Sequence, residues 1–271
     1  MSMITVSDGT QICYKDWCSG RSIEGAGGDF PSMILVHGLG CNHTFLAEQV
    51  GYFTRSHRVV SVDLRGHGRS DAPPGEYTMK VFSDDLAWLC KELDLVKPVV
   101  VGHSMGGNIA LMLASLYPDL LSSIVLIDSV MFPSDPLLAS LQPLGEAMLG
   151  ETYLLALKQT LRALCLPTDK HTEELLEQVQ GRQDVLASAL LNQVERYDSM
   201  FAASGCRVPV AYISAAMPLG DMDKFKAATP QLISATTLGA GHFSPVEVPG
   251  QINAMIERFL AMAEGSFPRT R

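Results

Sequence analysis

One segment, residues 99–110, limits the possible folds of this chain more than any other. Three valines lead into Gly102-His103-Ser104-Met105-Gly106, and an alanine- and leucine-rich helical pattern follows immediately. A turn this tight between a strand and a helix needs glycine two residues before and after Ser104, because a side chain at either position would collide with the turn. The pattern therefore predicts that the Ser104 hydroxyl stands clear of a sheet, beside a helix N-terminus that favours developing negative charge.

Length and charge limit the class of protein. The chain has 271 residues, of which 47% are hydrophobic and 18% charged, so one large α/β domain is expected. The net charge of −9 argues against nucleic acid and anionic membranes as partners. The first residues lack a basic segment followed by an apolar one, and no apolar stretch is long enough to span a bilayer. We therefore expect a cytoplasmic protein whose partner is a small molecule, and a homodimer is compatible with the sequence.

Apolar strand patterns alternate with amphipathic helical patterns along most of the chain. Strands are predicted at 4–6, 11–17, 33–36, 59–63, 98–101, 123–128, 208–214 and 233–237. Helices between or after them are predicted at 44–54, 77–95, 104–117 and 251–263, and residues 18–31 read as a glycine-rich loop. Uniformly apolar strands of this kind are typical of a mostly parallel sheet covered on both faces by helices.

The alternation stops after residue 130. Residues 131–206 show helical patterns at 137–149, 152–165, 172–180 and 185–203, with almost no strand character. We interpret this segment as a helical cap, or lid, over the carboxyl edge of the sheet, where open α/β sheets bind ligands. The predicted core domain then consists of residues 1–130 and 207–271.

Four motifs resemble those of the α/β-hydrolase superfamily, and each follows a predicted strand in the order expected of that family. The motifs are His37-Gly38-Leu39-Gly40, Asp63-Leu64-Arg65-Gly66-His67-Gly68-Arg69-Ser70, the Ser104 turn and Gly239-Ala240-Gly241-His242-Phe243. The resemblance implies an α/β-hydrolase fold with an eight-stranded sheet and a helical cap inserted after the sixth strand. In that family the Ser104 turn is called the nucleophile elbow.

Ser104 and His242 are the predicted nucleophile and base. A neutral hydroxyl is a poor nucleophile and needs a base to remove its proton. His242 follows the last predicted strand in a glycine-flanked loop, and its late position matches the order serine, acid, histidine that the resemblance implies.

The acid partner of His242 is left open between two positions. Family members that carry the acid after the seventh strand usually end that strand in Gly-x-x-Asp, but here the strand runs into Ala215-Ala216-Met217-Pro218. Asp128 ends the sixth strand, which is the alternative acid position of the superfamily, and we favour it. Asp221 and Asp223 remain the alternatives, although they come several residues late and Asp221 could instead cap a short helix at 223–228.

Two backbone N–H groups are expected to form the oxyanion hole, namely those of Leu39 and Met105. The segment 63–70 is read as a structural network, and Asp84 and Asp85 as a solvated helix face. The six cysteines lack the spacing of metal ligands and read as reduced packing residues. No metal and no cofactor is predicted.

The function predicted from these residues is a serine hydrolase of the carboxylesterase or lactonase type. It would cleave a small, fairly apolar ester, thioester, lactone or amide through an acyl-serine intermediate. One alternative is a cofactor-free dioxygenase that uses a His–Asp dyad, because the segments after residues 128 and 242 are similar to those of the hydroxyquinolone-cleaving enzymes. That family has Ser-His-Ser-His-Gly at the elbow, whereas this chain has Met105 where the second histidine would be. A carbon–carbon bond hydrolase and a non-catalytic receptor are further alternatives.

Overall fold

The computed structural model describes residues 1–17, 31–166, 170–216, 218–263 and 265. Eight strands form a single sheet in the order β1-β2-β4-β3-β5-β6-β7-β8. Their bounds are β1 Ser2–Thr5, β2 Gln11–Trp17, β3 Ser32–Val36, β4 Arg58–Val62, β5 Val99–His103, β6 Ser123–Ile127, β7 Val210–Ser214 and β8 Leu232–Thr236. β2 pairs antiparallel with β1 and with β4, and all other neighbours are parallel. The predicted mostly parallel, eight-stranded sheet is therefore confirmed.

Helices cover both faces of this sheet. Their bounds are α1 Ala47–Phe53, α2 Met79–Glu92, α3 Met105–Leu116, α4 Asp135–Ala147, α5 Tyr153–Ala163, α6 Lys170–Gln178, α7 Gln183–Leu191, α8 Ser199–Gly205, α9 Met222–Ala228, α10 Ser244–Glu247 and α11 Pro249–Ala263. A 3-10 turn at His43–Leu46 precedes α1, and a π-helical turn at Asn192–Arg196 follows α7. The helical layers are the reason that the central strands are apolar on both sides.

Two hydrophobic clusters lie on opposite faces of the sheet. Residues at alternate positions of the central strands, such as Ile34 and Val100, pack with α2 and α3 on one face. Their neighbours, such as Leu35 and Val101, pack with α1 and α11 on the other. β3, β5, β6 and β7 are buried at every position. The carboxyl ends of these strands are thereby fixed at one edge of the sheet, where the candidate site lies.

The chain between β6 and β7 contains α4 to α8, and we call residues 131–206 the helical insertion. The prediction of one helix at 185–203 is wrong. After the π-helical turn, Tyr197 is extended, and the Asp198 side chain accepts a hydrogen bond from the Phe201 N–H as the cap of α8. Because aspartate is a strong N-cap, a new helix begins there. The boundaries of the core and the cap stay predictions.

The segment 63–70 is held by buried polar contacts. Asp63 accepts hydrogen bonds from the backbone N–H groups of His43 and Arg69. Arg65 forms a bidentate salt bridge with Asp85, in which Nε and Nη2 each donate to a carboxylate oxygen over 2.6 Å. Its Nη1 also donates to Asp8. The prediction that Asp85 belongs to a solvated face is therefore wrong, since its side chain is only 7% exposed. The loop that carries Arg65, twenty residues earlier in the chain, covers it.

Residues 18–30, most of the predicted glycine-rich loop, lie outside the described residues. Within the part of the chain that the structure describes, no helix is both long enough and apolar enough to cross a membrane.

Candidate active site

The turn at Ser104 has the strained geometry that its glycines predicted. Ser104 has φ 55° and ψ −123°, a conformation that L-residues rarely adopt. A Cβ on Gly102 would lie 2.2 Å from the Gly106 carbonyl oxygen, and one on Gly106 would lie 2.3 Å from the Val36 carbonyl oxygen. Neither position can hold a side chain unless the backbone moves.

Ser104 lies where β5 ends and α3 begins. Its backbone N–H donates to the Ile127 carbonyl over 2.9 Å, which ties the turn to the end of the neighbouring strand β6. α3 starts at the next residue and runs for 12 residues. The positive end of its dipole therefore lies beside the serine hydroxyl.

His242 joins the serine to a carboxylate. Its Nδ1–H donates to Asp128 Oδ2 over 2.7 Å, and its Nε2 lies 3.1 Å from Ser104 Oγ. Because a carboxylate only accepts hydrogen bonds, this contact puts the proton of the neutral ring on Nδ1. Nε2 then has a free lone pair directed at the serine hydroxyl. The side chains of His242 and Asp128 are 4% and 3% exposed, so water does not compete for this contact.

Asp128 is held from two neighbouring strand ends. It follows β6 with φ 45°, another strained value. Its backbone N–H donates to the Ile213 carbonyl over 2.8 Å, and its Oδ1 accepts the Ala215 N–H over 2.9 Å. The end of β7, which lacks the expected carboxylate, supplies a backbone donor to the carboxylate of β6 instead.

The two alternative acids lie elsewhere. Asp221 caps α9 by accepting the Lys224 N–H over 3.0 Å, and Asp223 lies in the first turn of that helix. The structure therefore brings Ser104, His242 and Asp128 together and leaves Asp221 and Asp223 out of this group.

Leu39 and Met105 are the residues whose backbone N–H groups are predicted to form the oxyanion hole. Met105 is the first residue of α3, so its N–H has no partner inside the helix. Among the described residues, neither N–H donates an intramolecular hydrogen bond. The backbone at Gly38 passes close to the serine, since a Cβ there would lie 3.0 Å from Ser104 Cβ and 3.4 Å from Oγ. The two predicted donors therefore have no partner among the described residues, and the loop that carries Leu39 passes beside Ser104.

The backbone of His242 is fixed by the core and by the helical insertion. Its N–H donates to the Leu164 carbonyl over 2.8 Å. Its carbonyl accepts the Nε2–H of His103 over 2.7 Å, and the two rings are tilted at 44° to each other with centroids 4.8 Å apart. Burial, followed by repulsion from His242 when that ring is protonated, lowers the pKa of His103 to about 3. His103 is therefore a neutral donor that positions the His242 loop.

A small cavity of about 70 Å³ opens onto Ser104 and His242. The helical insertion supplies much of its wall, and the loop residues Leu39 and Phe243 supply more. Asp, Glu, Lys and Arg are absent from the described residues that line it. The wall residues from the insertion are Leu141, Leu144, Leu157, Thr160, Leu161, Leu164, Leu190, Gln193 and Val194. The chemistry of this cavity favours an uncharged, apolar group beside the serine.

Cys41 also lines this cavity, but it is 3% exposed and its Sγ donates to the Leu39 carbonyl. Burial raises the pKa of its thiol far above the usual range, so it stays protonated. Among the described residues, no three His, Cys, Asp or Glu side chains are grouped so that they could hold a metal ion.

Three contributors to the site were missed by the sequence reasoning: the ring contact of His103, the Ala215 N–H and the pair Asn108–Gln193. Asn108 lies within an apolar stretch of α3 and is fully buried, and its Oδ1 accepts the Gln193 Nε2–H over 2.9 Å. A lone asparagine in so apolar a helix was the signal that could have indicated a buried polar contact. The other two contacts involve tertiary geometry that has no local sequence pattern.

Comparisons with known proteins agree with this fold. The family model described as alpha/beta hydrolase fold matches residues 31–158. The chain is 36% identical over 132 residues to the non-heme chloroperoxidase of Streptomyces lividans, and this match covers 48% of the chain and 45% of the relative. The curated relatives that head the comparison are matched over less than half of their own length, from 30% to 45%.

Two solved structures superimpose on nearly the whole chain. The thermophilic esterase from Thermogutta terrifontis matches with a TM-score of 0.80 at 26% identity, over 97% of this chain and 98% of that one. The enol-lactonase from Burkholderia xenovorans LB400 matches with a TM-score of 0.81 at 23% identity, over 96% of this chain and 100% of that one.

Proposed function

We propose that this chain, which has the alpha/beta hydrolase fold, is a serine hydrolase of uncharged, apolar esters or lactones. The observation that carries the proposal is the position of the His242 ring, which bridges Ser104 Oγ at 3.1 Å and Asp128 Oδ2 at 2.7 Å. A serine, histidine and carboxylate in this relation form the constellation that activates a hydroxyl for acyl transfer.

In the proposed acylation step, His242 Nε2 takes the Ser104 proton while Oγ attacks the substrate carbonyl. The carbonyl oxygen becomes an oxyanion that accepts the N–H groups of Leu39 and Met105. His242 then gives the proton to the leaving oxygen, the carbon–oxygen bond breaks, and the acyl group remains on Ser104. Asp128 stays ionised and stabilises the imidazolium that forms between the two transfers. Each oxyanion donor is worth roughly 3–4 kcal/mol in the transition state.

Deacylation repeats these steps with water. Nε2 removes a proton from a water molecule, the hydroxide attacks the acyl carbon, and the proton returns to Ser104 as the acid departs. The net reaction is the hydrolysis of one ester bond, with Ser104 and His242 returned to their starting states and no redox change.

The cavity lining supports an uncharged substrate. A carboxylate beside the serine would find no cation among the lining residues, and burying it unpaired would cost several kcal/mol. The structural neighbours described as an esterase and an enol-lactonase are consistent with oxygen esters as the substrate class.

The dioxygenase alternative has weaker support. It would use His242 and Asp128 as a dyad, but Met105 occupies the position of the second elbow histidine, and its side chain is fully buried. A carbon–carbon bond hydrolase would use the same three side chains as the proposed esterase, so only its substrates distinguish it.

Active-site labelling tests the proposal. The folded protein is treated with a fluorophosphonate and the modified peptide is mapped, with Ser104→Ala as the control, beside a panel of neutral p-nitrophenyl esters and lactones. We expect one label, on Ser104, and ester turnover that Ser104→Ala abolishes. An unlabelled Ser104 together with a silent panel would overturn the acyl-enzyme mechanism, and oxygen uptake with a 3-hydroxy-4-quinolone would establish the alternative.

A further inference from the structure

A second and much larger cavity, which we call the insertion groove, lies beside the small cavity at Ser104 and His242, which we call the catalytic pocket. It has a volume of about 920 Å³ and runs between α4 and α7. Its lining is mainly aliphatic and includes Leu138, Gly145, Met148, Leu149, Ala187 and Leu191. Leu149 is 79% exposed and Leu191 37% exposed, which is unfavourable for leucines unless something covers them.

The groove and the catalytic pocket share a wall. Leu141 from α4, Leu190 from α7 and Val194 from the π-helical turn line both cavities. A molecule held in the groove therefore lies one side-chain layer from the space in front of Ser104. A chain that passes these three aliphatic side chains joins the two compartments.

The two volumes indicate how a substrate would divide between the compartments. Ligand pockets for small molecules usually measure roughly 300–1,000 Å³. The catalytic pocket, at about 70 Å³, can take only the reacting group, whereas the groove at about 920 Å³ is within the usual range. The bulk of a substrate must lie outside the catalytic pocket, and the groove is the adjoining apolar space.

The charges around the groove limit the chemistry of its occupant. Glu146 and Glu195 line it, and Lys and Arg are absent from its described lining. An anionic end would meet two carboxylates with no compensating cation. An uncharged aliphatic chain is not repelled by these carboxylates and needs no hydrogen-bond partner, so it fits the groove best.

One side of the shared wall is fixed to the core. Next to Val194, Gln193 donates its Nε2–H to Asn108 Oδ1, and Asn108 donates its Nδ2–H to the Val130 carbonyl over 2.7 Å. α4, on the other side, has a single buried residue, Leu144, and contains Pro143, which removes one helical hydrogen bond. Few buried contacts make α4 the side that yields more easily as a chain passes.

We propose that the insertion groove binds the unbranched aliphatic chain of the substrate whose ester group lies at Ser104. The enzyme then acts on neutral esters with long chains, and Leu141, Leu190 and Val194 form the passage between chain and ester. The placement of the ester rests on the proposed function, whereas binding of the chain to the groove does not require turnover.

Chain-length profiles of the full protein test this inference. We measure kcat/KM for p-nitrophenyl acetate and p-nitrophenyl decanoate and compare their ratio between variants. Gly145→Phe fills the groove, since a Cβ at Gly145 meets no atom within 4 Å, and Leu191→Glu adds a third carboxylate. Gly51→Phe is the matched control, because a Cβ on Gly51 in α1 is equally free of contacts.

We expect the wild-type protein to favour decanoate at least tenfold, and both groove variants to lower the decanoate-to-acetate ratio at least tenfold. The Gly51→Phe control should leave the ratio within twofold. A wild-type preference for acetate, or a ratio that neither groove variant changes, would overturn the inference while leaving the proposed function intact.

Binding of 1-decanol to Ser104→Ala, measured by calorimetry, separates the two proposals. Binding to Ser104→Ala that an added Gly145→Phe change abolishes supports the groove. If the wild-type protein at the same time hydrolyses no ester, the groove is supported and the proposed function alone is rejected. Light scattering tests whether a second copy of this chain covers the groove instead. A dimer that Leu191→Glu dissociates, with an unchanged chain-length ratio, would overturn the inference.

Discussion

The backbone N–H of Ala215, at the end of β7, donates to Asp128 Oδ1, at the end of β6, over 2.9 Å. This contact holds one carboxylate oxygen so that the other, Oδ2, faces His242 at 2.7 Å. The acid is therefore carried by one strand and oriented by the next. The same arrangement explains how β7 can end without a carboxylate and still contribute to the site.

Asp128→Asn tests the role of this carboxylate. The amide keeps the size of the side chain, but its NH₂ group can face His242 and force the imidazole into the wrong tautomer. We expect kcat for a neutral ester to fall by about 10⁴-fold with little change in the far-ultraviolet circular dichroism spectrum.

Asp221→Asn is the control for that measurement. Asparagine is as good an N-cap as aspartate, so α9 should be preserved and kcat should change less than twofold. A large loss of activity in Asp221→Asn with a small loss in Asp128→Asn would show that the acid follows β7 and not β6.

Gly102→Ala tests the steric requirement of the turn. The added methyl group would lie 2.2 Å from the Gly106 carbonyl oxygen, which belongs to the backbone and cannot rotate away. We expect a loss of about 3 kcal/mol or more in the free energy of unfolding, measured by urea denaturation. Gly51→Ala is the comparison, because Gly51 is an exposed position of α1 where a Cβ meets no atom within 4 Å.

Removing the backbone freedom of Gly51 should stabilise the protein by about 0.5–1 kcal/mol. Equal effects of the two substitutions would mean that the close approach at Gly102 is not what requires glycine.

Much of the fold could be predicted because its signals are local. Strands such as β5 and β6 are short runs of β-branched residues, and Gly102 and Gly106 bracket Ser104 within one turn. His242 was identifiable because it lies in a short glycine-containing loop, Gly239 to Phe243, that follows the last strand. Each of these inferences needed only neighbouring residues, which is where sequence patterns are most reliable.

The rest depended on contacts between distant parts of the chain. The choice between Asp128 and Asp221 depends on which strand end faces His242, and the spacing of these residues in the sequence does not predict it. Asp85 appeared solvated because its partner Arg65 lies on a separate loop. The helix predicted at 185–203 ends early because Asp198 caps a new helix inside a continuous apolar pattern.

The buried pair of Arg65 and Asp85 gives a prediction about stability. Burial raises the pKa of Asp85 above its ordinary value, so its charge depends on the guanidinium beside it. Arg65→Met leaves that carboxylate buried without its partner, and we expect a loss of about 3–5 kcal/mol in urea denaturation. The double variant Arg65→Met with Asp85→Leu removes both charges and should be more stable than Arg65→Met.

The exposed pair of Lys80 and Asp84 provides the contrast. Their side chains are 63% and 37% exposed, so Lys80→Ala should cost less than about 1 kcal/mol. A double variant less stable than Arg65→Met would show that packing around the pair, rather than the unpaired charge, dominates the loss.

The neutral state of His103 makes the folded protein sensitive to acid. Its pKa is lowered to about 3 in the folded state, mainly by burial, whereas an unfolded histidine titrates near 6.5. Between these values the unfolded chain binds a proton that the folded chain does not, so stability falls as the pH falls below 6.5. At pH 5.5 the loss from this one group is about 1.4 kcal/mol relative to pH 7.5.

Urea denaturation at pH 7.5 and pH 5.5 measures this loss for the wild-type protein and for His103→Gln. Glutamine at 103 can still donate to the His242 carbonyl but does not titrate, so the difference in unfolding free energy between the two pH values should shrink by about 1.4 kcal/mol. If His103→Gln loses as much stability on acidification as the wild-type protein does, His103 is not held neutral in the folded state. The other buried histidines, His37 and His67, would then account for the acid sensitivity, since burial lowers the pKa of both.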